Sequence, residues 1–204
     1  MVKQALRKAA NRLKDMDLLT TGLIDMDETL RSRILPLRLM ILDVDGVLTD
    51  GRIIYQDDGS EIKAFDVQDG HGIKLLQRSG IEVALITGRF CRAVEHRAAG
   101  LGIERVYQNM HYKLEAYEKI LLDTGLKDEE AGYMGDDLID IPVMRRVGFA
   151  VAVPNAVCHV IPYAHYVTRA GGGHGACREV CELILQVQGR WEELTERYFG
   201  PFRP

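Results

Sequence analysis

One stretch constrains this chain more than any other: Leu37-Arg38-Leu39-Met40-Ile41-Leu42-Asp43-Val44-Asp45-Gly46-Val47-Leu48-Thr49-Asp50-Gly51. Residues 37–42 are apolar except for Arg38 and run straight into an acid. Such a run predicts a strand buried on both faces, as in the middle of a parallel sheet. Asp43 and Asp45 then fall just past its carboxyl end, the edge at which open α/β sheets bind ligands. A period of two puts both carboxylates on one side of an extended chain, and Gly46 lets the backbone turn away at once. Two carboxylates this close repel unless a cation lies between them. Oxygen-only ligands suit a hard cation such as Mg²⁺. A bare D-x-D-G is equally compatible with a strand followed by an ordinary acidic turn.

Further strand ends repeat the theme. Ile81–Ile86 predicts a strand ending in Thr87-Gly88-Arg89, where a hydroxyl can donate to a phosphoryl oxygen and a guanidinium can grip a carboxylate or phosphate. Arg105–Tyr107 is a short strand, and Lys113 opens a helix over 114–122. Glu130–Met134 leads into Gly135-Asp136-Asp137-Leu138-Ile139-Asp140, a crowding of acids that needs a cation or a basic partner. Val147–Val153 is the next strand and 165–168 a short edge strand; the glycine run from Gly171 then precedes a helix. That run lacks the lysine of a P-loop. Strands alternating with helices imply a parallel sheet covered on both faces.

Between the first strand and the first core helix, Arg52–Tyr55 and Glu61–Phe65 flank a turn carrying Asp-Gly, which predicts a β-hairpin over 52–65. Asp66–Gly72 reads as a loop entering a helix over 73–79, with Asp69 as a candidate N-cap. Residues 1–35 read as a helical N-terminal extension in which Ala5, Ala9, Leu13 and Met16 form a weak apolar stripe beside a basic face. Asp25-Met26-Asp27 repeats the D-x-D spacing without a preceding strand and reads as coincidence. Residues 189–204 read as a helical tail with Trp191, Tyr198 and Phe199. At 204 residues, one α/β domain spanning 36–188 with appendages is expected. A net charge of −4 argues against nucleic-acid binding. The four cysteines form no C-x-x-C pair and read as reduced. No run reaches the roughly 20 apolar residues of a membrane span and no secretory signal is visible, so a cytoplasmic location is expected.

In order, D-x-D-x-V at Asp43, Asp45 and Val47, the Thr87-Gly88 strand end, Lys113 at a helix start, and G-D-D-x-x-D at 135–140 resemble the four motifs of the haloacid dehalogenase-like (HAD) phosphohydrolases. The strings DVDGVLTDG, from Asp43, and DGHGIK, from Asp69, resemble one branch, the 3-deoxy-D-manno-octulosonate 8-phosphate (KDO 8-P) phosphatases and their nonulosonate 9-phosphate relatives. The resemblance covers roughly residues 37–188. It implies a Rossmann-like three-layer α/β fold with a small hairpin in place of a cap domain, and a homotetramer built through that hairpin. It implies an aspartyl-phosphate on Asp43, with Asp45 as acid and base and Thr87 and Lys113 neutralising the phosphoryl group. Mg²⁺ would be held by Asp43, the Asp45 carbonyl and Asp136. A sugar-acid phosphate would be bound by Asp45, the Asp66-Val67-Gln68-Asp69-Gly70 segment, Lys74, Arg89, Arg97 and Lys113. Gln68 stands where many of these enzymes carry arginine, which leaves the sugar acid open. A nonulosonate 9-phosphate phosphatase and a phosphatase-like oligomerisation module are the alternatives. A receiver-type signalling domain is disfavoured by Asp45 and by the hairpin.

Overall fold

The computed structural model describes residues 27–199. The central sheet contains β1 (Leu39–Leu42), β4 (Glu82–Ile86), β5 (Arg105–Tyr107), β6 (Ala131–Gly135), β7 (Phe149–Ala152) and β8 (Tyr166–Val167). Its order is β5-β4-β1-β6-β7-β8, with every pairing parallel. All four residues of β1 are buried, as a strand with helices on both faces requires. Alternation along it feeds two cores. Met40 and Leu42 face one cluster with α2 (Val67–Arg78) and α6 (Ala176–Val187), and Leu39 and Ile41 face another with α4 (Lys113–Thr124). The remaining helices are α1 (Glu28–Ile34), α3 (Arg92–Leu101), α5 (Ile141–Met144) and α7 (Trp191–Phe199).

Register carries the site. Leu42 lies opposite Leu85 on one side and Met134 on the other, so β4 and β6 run one residue past β1 and all three end at the same edge of the sheet. Asp43, Thr87 and Asp136 therefore emerge along one edge. Strands later in the chain lie to both sides of β1, which makes its carboxyl end the switch point where such sheets hold ligands.

Two expectations need correction. The segment 66–72 is not a loop: α2 begins at Val67, capped by Asp66, whose side chain accepts from the Gln68 amide at 2.6 Å. Gly70 and Gly72 suggest a loop in sequence, yet both are helical, and glycine is required there because neighbours lie too close for a side chain. A Cβ on Gly70 would sit 2.3 Å from Arg97 Nη2, and one on Gly72 would meet Arg178 and Cys181. Asp69 is accordingly no cap of its own helix. It accepts from the Arg178 amide at 2.7 Å and so caps α6 instead.

The hairpin is shorter than 52–65: β2 (Ile54–Tyr55) pairs antiparallel with β3 (Glu61–Ile62) around a turn in which Gly59 has φ +80°. Lys63–Phe65 leave the ladder and run back to the domain. Of the expected N-terminal extension, α1 is described; its cap is Asp27, which accepts from the Thr29 amide, while Asp25 and the Ala5–Met16 stripe lie outside the described residues. In the C-terminal tail, α7 brings Tyr198 within 5.7 Å of the His71 ring. No helix among the described residues is long and apolar enough to cross a membrane.

Candidate active site

A cleft of about 230 Å³ opens at the strand edge, lined by Asp43, Asp45, Thr87, Arg89, Lys113, Asp136 and their neighbours. Its floor is Asp43, only 5% exposed. Lys113, at the first turn of α4, places Nζ 2.8 Å from Asp43 Oδ1 and 2.6 Å from Asp140 Oδ1. Burial opposes the lysine's charge, but Asp43 and Asp140 outweigh it and raise its pKa. Asp43 is pushed well above the ordinary carboxylate range by burial first and by Asp140 next, with Lys113 pulling the other way. Asp136 is raised to about 7 by the same two causes.

Asp43, Asp136 and Asp140 bring carboxylate oxygens within 4.8 Å of one another, but their partners sort them. Asp140 is saturated. Its Oδ1 accepts from Lys113 and from the Tyr133 hydroxyl, each at 2.6 Å, and its Oδ2 from the amides of Asp136 and Asp137 at 2.9 and 3.0 Å. Asp136 Oδ1 is buried with no hydrogen-bond partner. A buried, unpartnered carboxylate oxygen beside a second buried carboxylate is the donor set a hard cation satisfies. The residues therefore fit Mg²⁺, which Asp43 and Asp136 would hold, while Asp140 fixes Lys113. Asp137, by contrast, caps the turn at Leu138 and is exposed.

The loop after β1 is held by residues distant in sequence. Gly46 has φ +87°, and a Cβ there would lie 2.0 Å from Asp136 Oδ2, so only glycine admits the acid this close. Asn155, just past β7, donates to the Gly46 carbonyl at 2.9 Å and accepts from the Gly172 amide at 2.8 Å. The glycine run thus packs against the D-x-D loop as a brace: a Cβ on Gly172 would fall 1.8 Å from the Gly46 carbonyl oxygen.

Over the cleft stands the hairpin. Lys63 pairs with Asp45 Oδ1 and, at 2.8 Å, with Glu61 Oε1; Glu61 Oε2 accepts from Arg89 Nη2 at 2.8 Å. The other residues expected to bind substrate sit elsewhere within the chain. Lys74 donates to the Leu101 carbonyl at 2.5 Å, Arg97 donates to the Asp66 carbonyl at 2.8 Å and lies over Phe65, and Asp69 and Gly70 are buried between helices. Val67 and Gln68 are exposed on the first turn of α2. Sequence reasoning missed Glu61, Lys63, Tyr133 and Asn155. Asn155 had a usable signal, its place just past a strand's carboxyl end. Glu61 and Lys63 are two residues apart, and hence on one side of an extended segment, but nothing in the spacing says which surface that side meets.

The haloacid dehalogenase-like hydrolase profile matches residues 102–176. The 3-deoxy-D-manno-octulosonate 8-phosphate phosphatase of Escherichia coli K12 is 52% identical over 157 residues, 77% of this chain and 84% of that protein. A Pseudomonas syringae protein described as a probable YrbI family phosphatase superimposes with a TM-score of 0.84 at 48% identity, covering 86% of this chain and all of that one. The Moraxella catarrhalis KDO 8-P phosphatase, solved with a magnesium ion, a phosphate ion and a KDO molecule, gives a TM-score of 0.82 at 40% identity, covering 85% and 99%. Fold, cleft and these likenesses define a HAD-like hydrolase. Within that class, the chain belongs to the KDO 8-P phosphatase family.

Proposed function

We propose that this protein hydrolyses 3-deoxy-D-manno-octulosonate 8-phosphate to KDO and phosphate, with Mg²⁺, in lipopolysaccharide precursor synthesis. The observation that carries the chemistry is the buried Asp43–Lys113–Asp140 array beside an unpartnered Asp136 oxygen. Asp43 attacks phosphorus, forming a carboxylate–phosphorus bond as the bond to the sugar oxygen breaks. Asp45 gives its proton to that leaving oxygen, then takes one from the water that cleaves the aspartyl-phosphate. Lys113, locked by Asp140, favours the ionised form of Asp43 against its burial and offsets phosphoryl charge, and Thr87 adds a hydroxyl donor; positioning and charge neutralisation are most of what phosphoryl transfer needs. Mg²⁺, held by Asp43, Asp136 and the Asp45 carbonyl, would supply the remaining positive charge. Arg89, on the cleft rim, takes the sugar carboxylate.

The hairpin leaves Ile53, Ile54, Tyr55 and Ile62 exposed. An isolated two-stranded hairpin is marginal in water, so this apolar surface supports assembly through it into a homotetramer, in the cytoplasm. Phosphate release from KDO 8-phosphate, nonulosonate 9-phosphates and neutral hexose phosphates, with Mg²⁺ and with EDTA, tests the reading. Mg²⁺-dependent preference for KDO 8-phosphate is expected. Preference for a nine-carbon acid would reassign the substrate, and no release from any of them would overturn the enzyme.

A further inference from the structure

We infer that Lys63 is a positioning residue for the reaction: it clamps one oxygen of Asp45 so that the other faces the scissile phosphate ester. The inference rests on the role of Asp45 proposed above.

The placement of Lys63 inverts the usual order of burial. Its side chain is 1% exposed, whereas the adjacent Ile62 is 45% exposed. Lysine is almost never buried this far unless paired, and the desolvation of an ammonium has to be offset by well-placed anions. Both anions are identifiable. Asp45 Oδ1 lies against Nζ, and Glu61 Oε1 is 2.8 Å away on the same hairpin. Glu61 is itself anchored from the far side, since its Oε2 receives Arg89 Nη2. Asp45 Oδ2 remains on the Arg89 side of the cleft, 4.0 Å from Nε.

The arrangement has a chemical consequence. An aspartate on a turn can rotate about its Cβ–Cγ bond and present either oxygen or neither. With Oδ1 held by Lys63, one oxygen is left to exchange a proton with the leaving group and with water. Such preorganisation matters most where the leaving group needs a proton. A sugar alkoxide does, and p-nitrophenolate does not. A salt bridge that merely tied the hairpin down would affect both substrates alike.

The experiment uses full-length protein with Mg²⁺ and compares wild type with Lys63→Met. Single-turnover phosphoryl transfer from KDO 8-phosphate should slow by about 10²-fold, the low end of a general acid's worth, while the pre-steady-state burst of p-nitrophenolate keeps its wild-type rate. Aminoethylation of Lys63→Cys, with equally treated wild type as control, should restore the sugar-phosphate rate; this variant also keeps the test open should Lys63→Met fold poorly. Equal losses on both substrates, or no loss on either, would overturn the role of Lys63. A wild type that shows neither burst nor phosphate release would remove the functional reading beneath it, an outcome visible before any variant is made.

Discussion

Two regions of the molecule bury carboxylates, and they do so to opposite ends. At the strand edge, three acids, Asp43, Asp136 and Asp140, crowd together, and the ammonium of Lys113 pairs with only Asp43 and Asp140. At the junction of α2 and α6, Asp69 is 2% exposed, with one oxygen on the Arg178 amide and the other without a partner. Both sites raise carboxylate pKa values, and in both burial is the leading cause. The difference lies in access. The strand-edge cluster opens onto a cleft, so its excess negative charge can be met by a cation and by a substrate's phosphorus. Asp69 is sealed between helices and can be answered only by a proton. Desolvation alone therefore does not mark a reactive carboxylate; desolvation beside an opening and a fixed ammonium does.

The sharpest break in the comparison is Asp43→Asn, which should lower phosphate release by at least about 10³-fold, as loss of a nucleophile does, with the circular dichroism spectrum unchanged. Near-normal turnover would end the covalent mechanism. Next in size is Asp140→Ala. It leaves Lys113 paired with Asp43 but strands the Tyr133 hydroxyl and two amides, and each buried group left without a partner costs about 1–3 kcal/mol. Urea denaturation should show that loss; a change below about 1 kcal/mol would mean that Asp140 does not organise the cluster.

Mg²⁺ comes third. A ligand at 100 times its Kd stabilises by about 2.7 kcal/mol, so chelation should lower the melting temperature. Cations need ionised carboxylates, and Asp136 is raised to about 7. Proton competition therefore weakens binding as pH falls, and the Mg²⁺-induced shift should be larger at pH 8 than at pH 5. Equal shifts at both would place the cation away from Asp136.

The smallest effect belongs to Asp69, raised to about 6 from a reference of 3.8. A folded pKa above the unfolded one means stability that is present below pH 4 and lost as pH rises through 6. Asp69→Asn removes the buried charge while keeping an acceptor for the Arg178 amide. It should stabilise the protein by about 1 kcal/mol at pH 8, the new amide donor taking back part of the gain, and by nothing near pH 4. Destabilisation at pH 8 would mean that Asp69 stays charged and compensated.

Much of the strand edge was legible before any coordinates. Apolar runs ending in Asp43, Thr87 and Asp136 have few other uses than strands of a covered parallel sheet, and neighbouring parallel strands ending at one edge bring their next residues together. Lys113 was legible through the family resemblance, which places a lysine at that helix start; helix position alone would have read it as a surface residue. The start of α2 was not, because Gly70 and Gly72 look like loop residues until Arg97 and Arg178 are seen to occupy the space of their missing side chains. The Glu61–Lys63 pair was hidden for a different reason. A hairpin's pattern says which residues share a side, but which side turns inward is set by tertiary contact, and here charge on Asp45 decided it over the apolar face.

Asn155 has a consequence for how this protein can be taken apart. One amide group fastens the loop after the first strand to the glycine run more than a hundred residues later. The spacing of the acids is thus stored in the second half of the chain as much as in the first. A chimera that joins the front half of one relative to the back half of another would keep every acid and both cores, yet its cation affinity would follow whichever parent supplied the stitch.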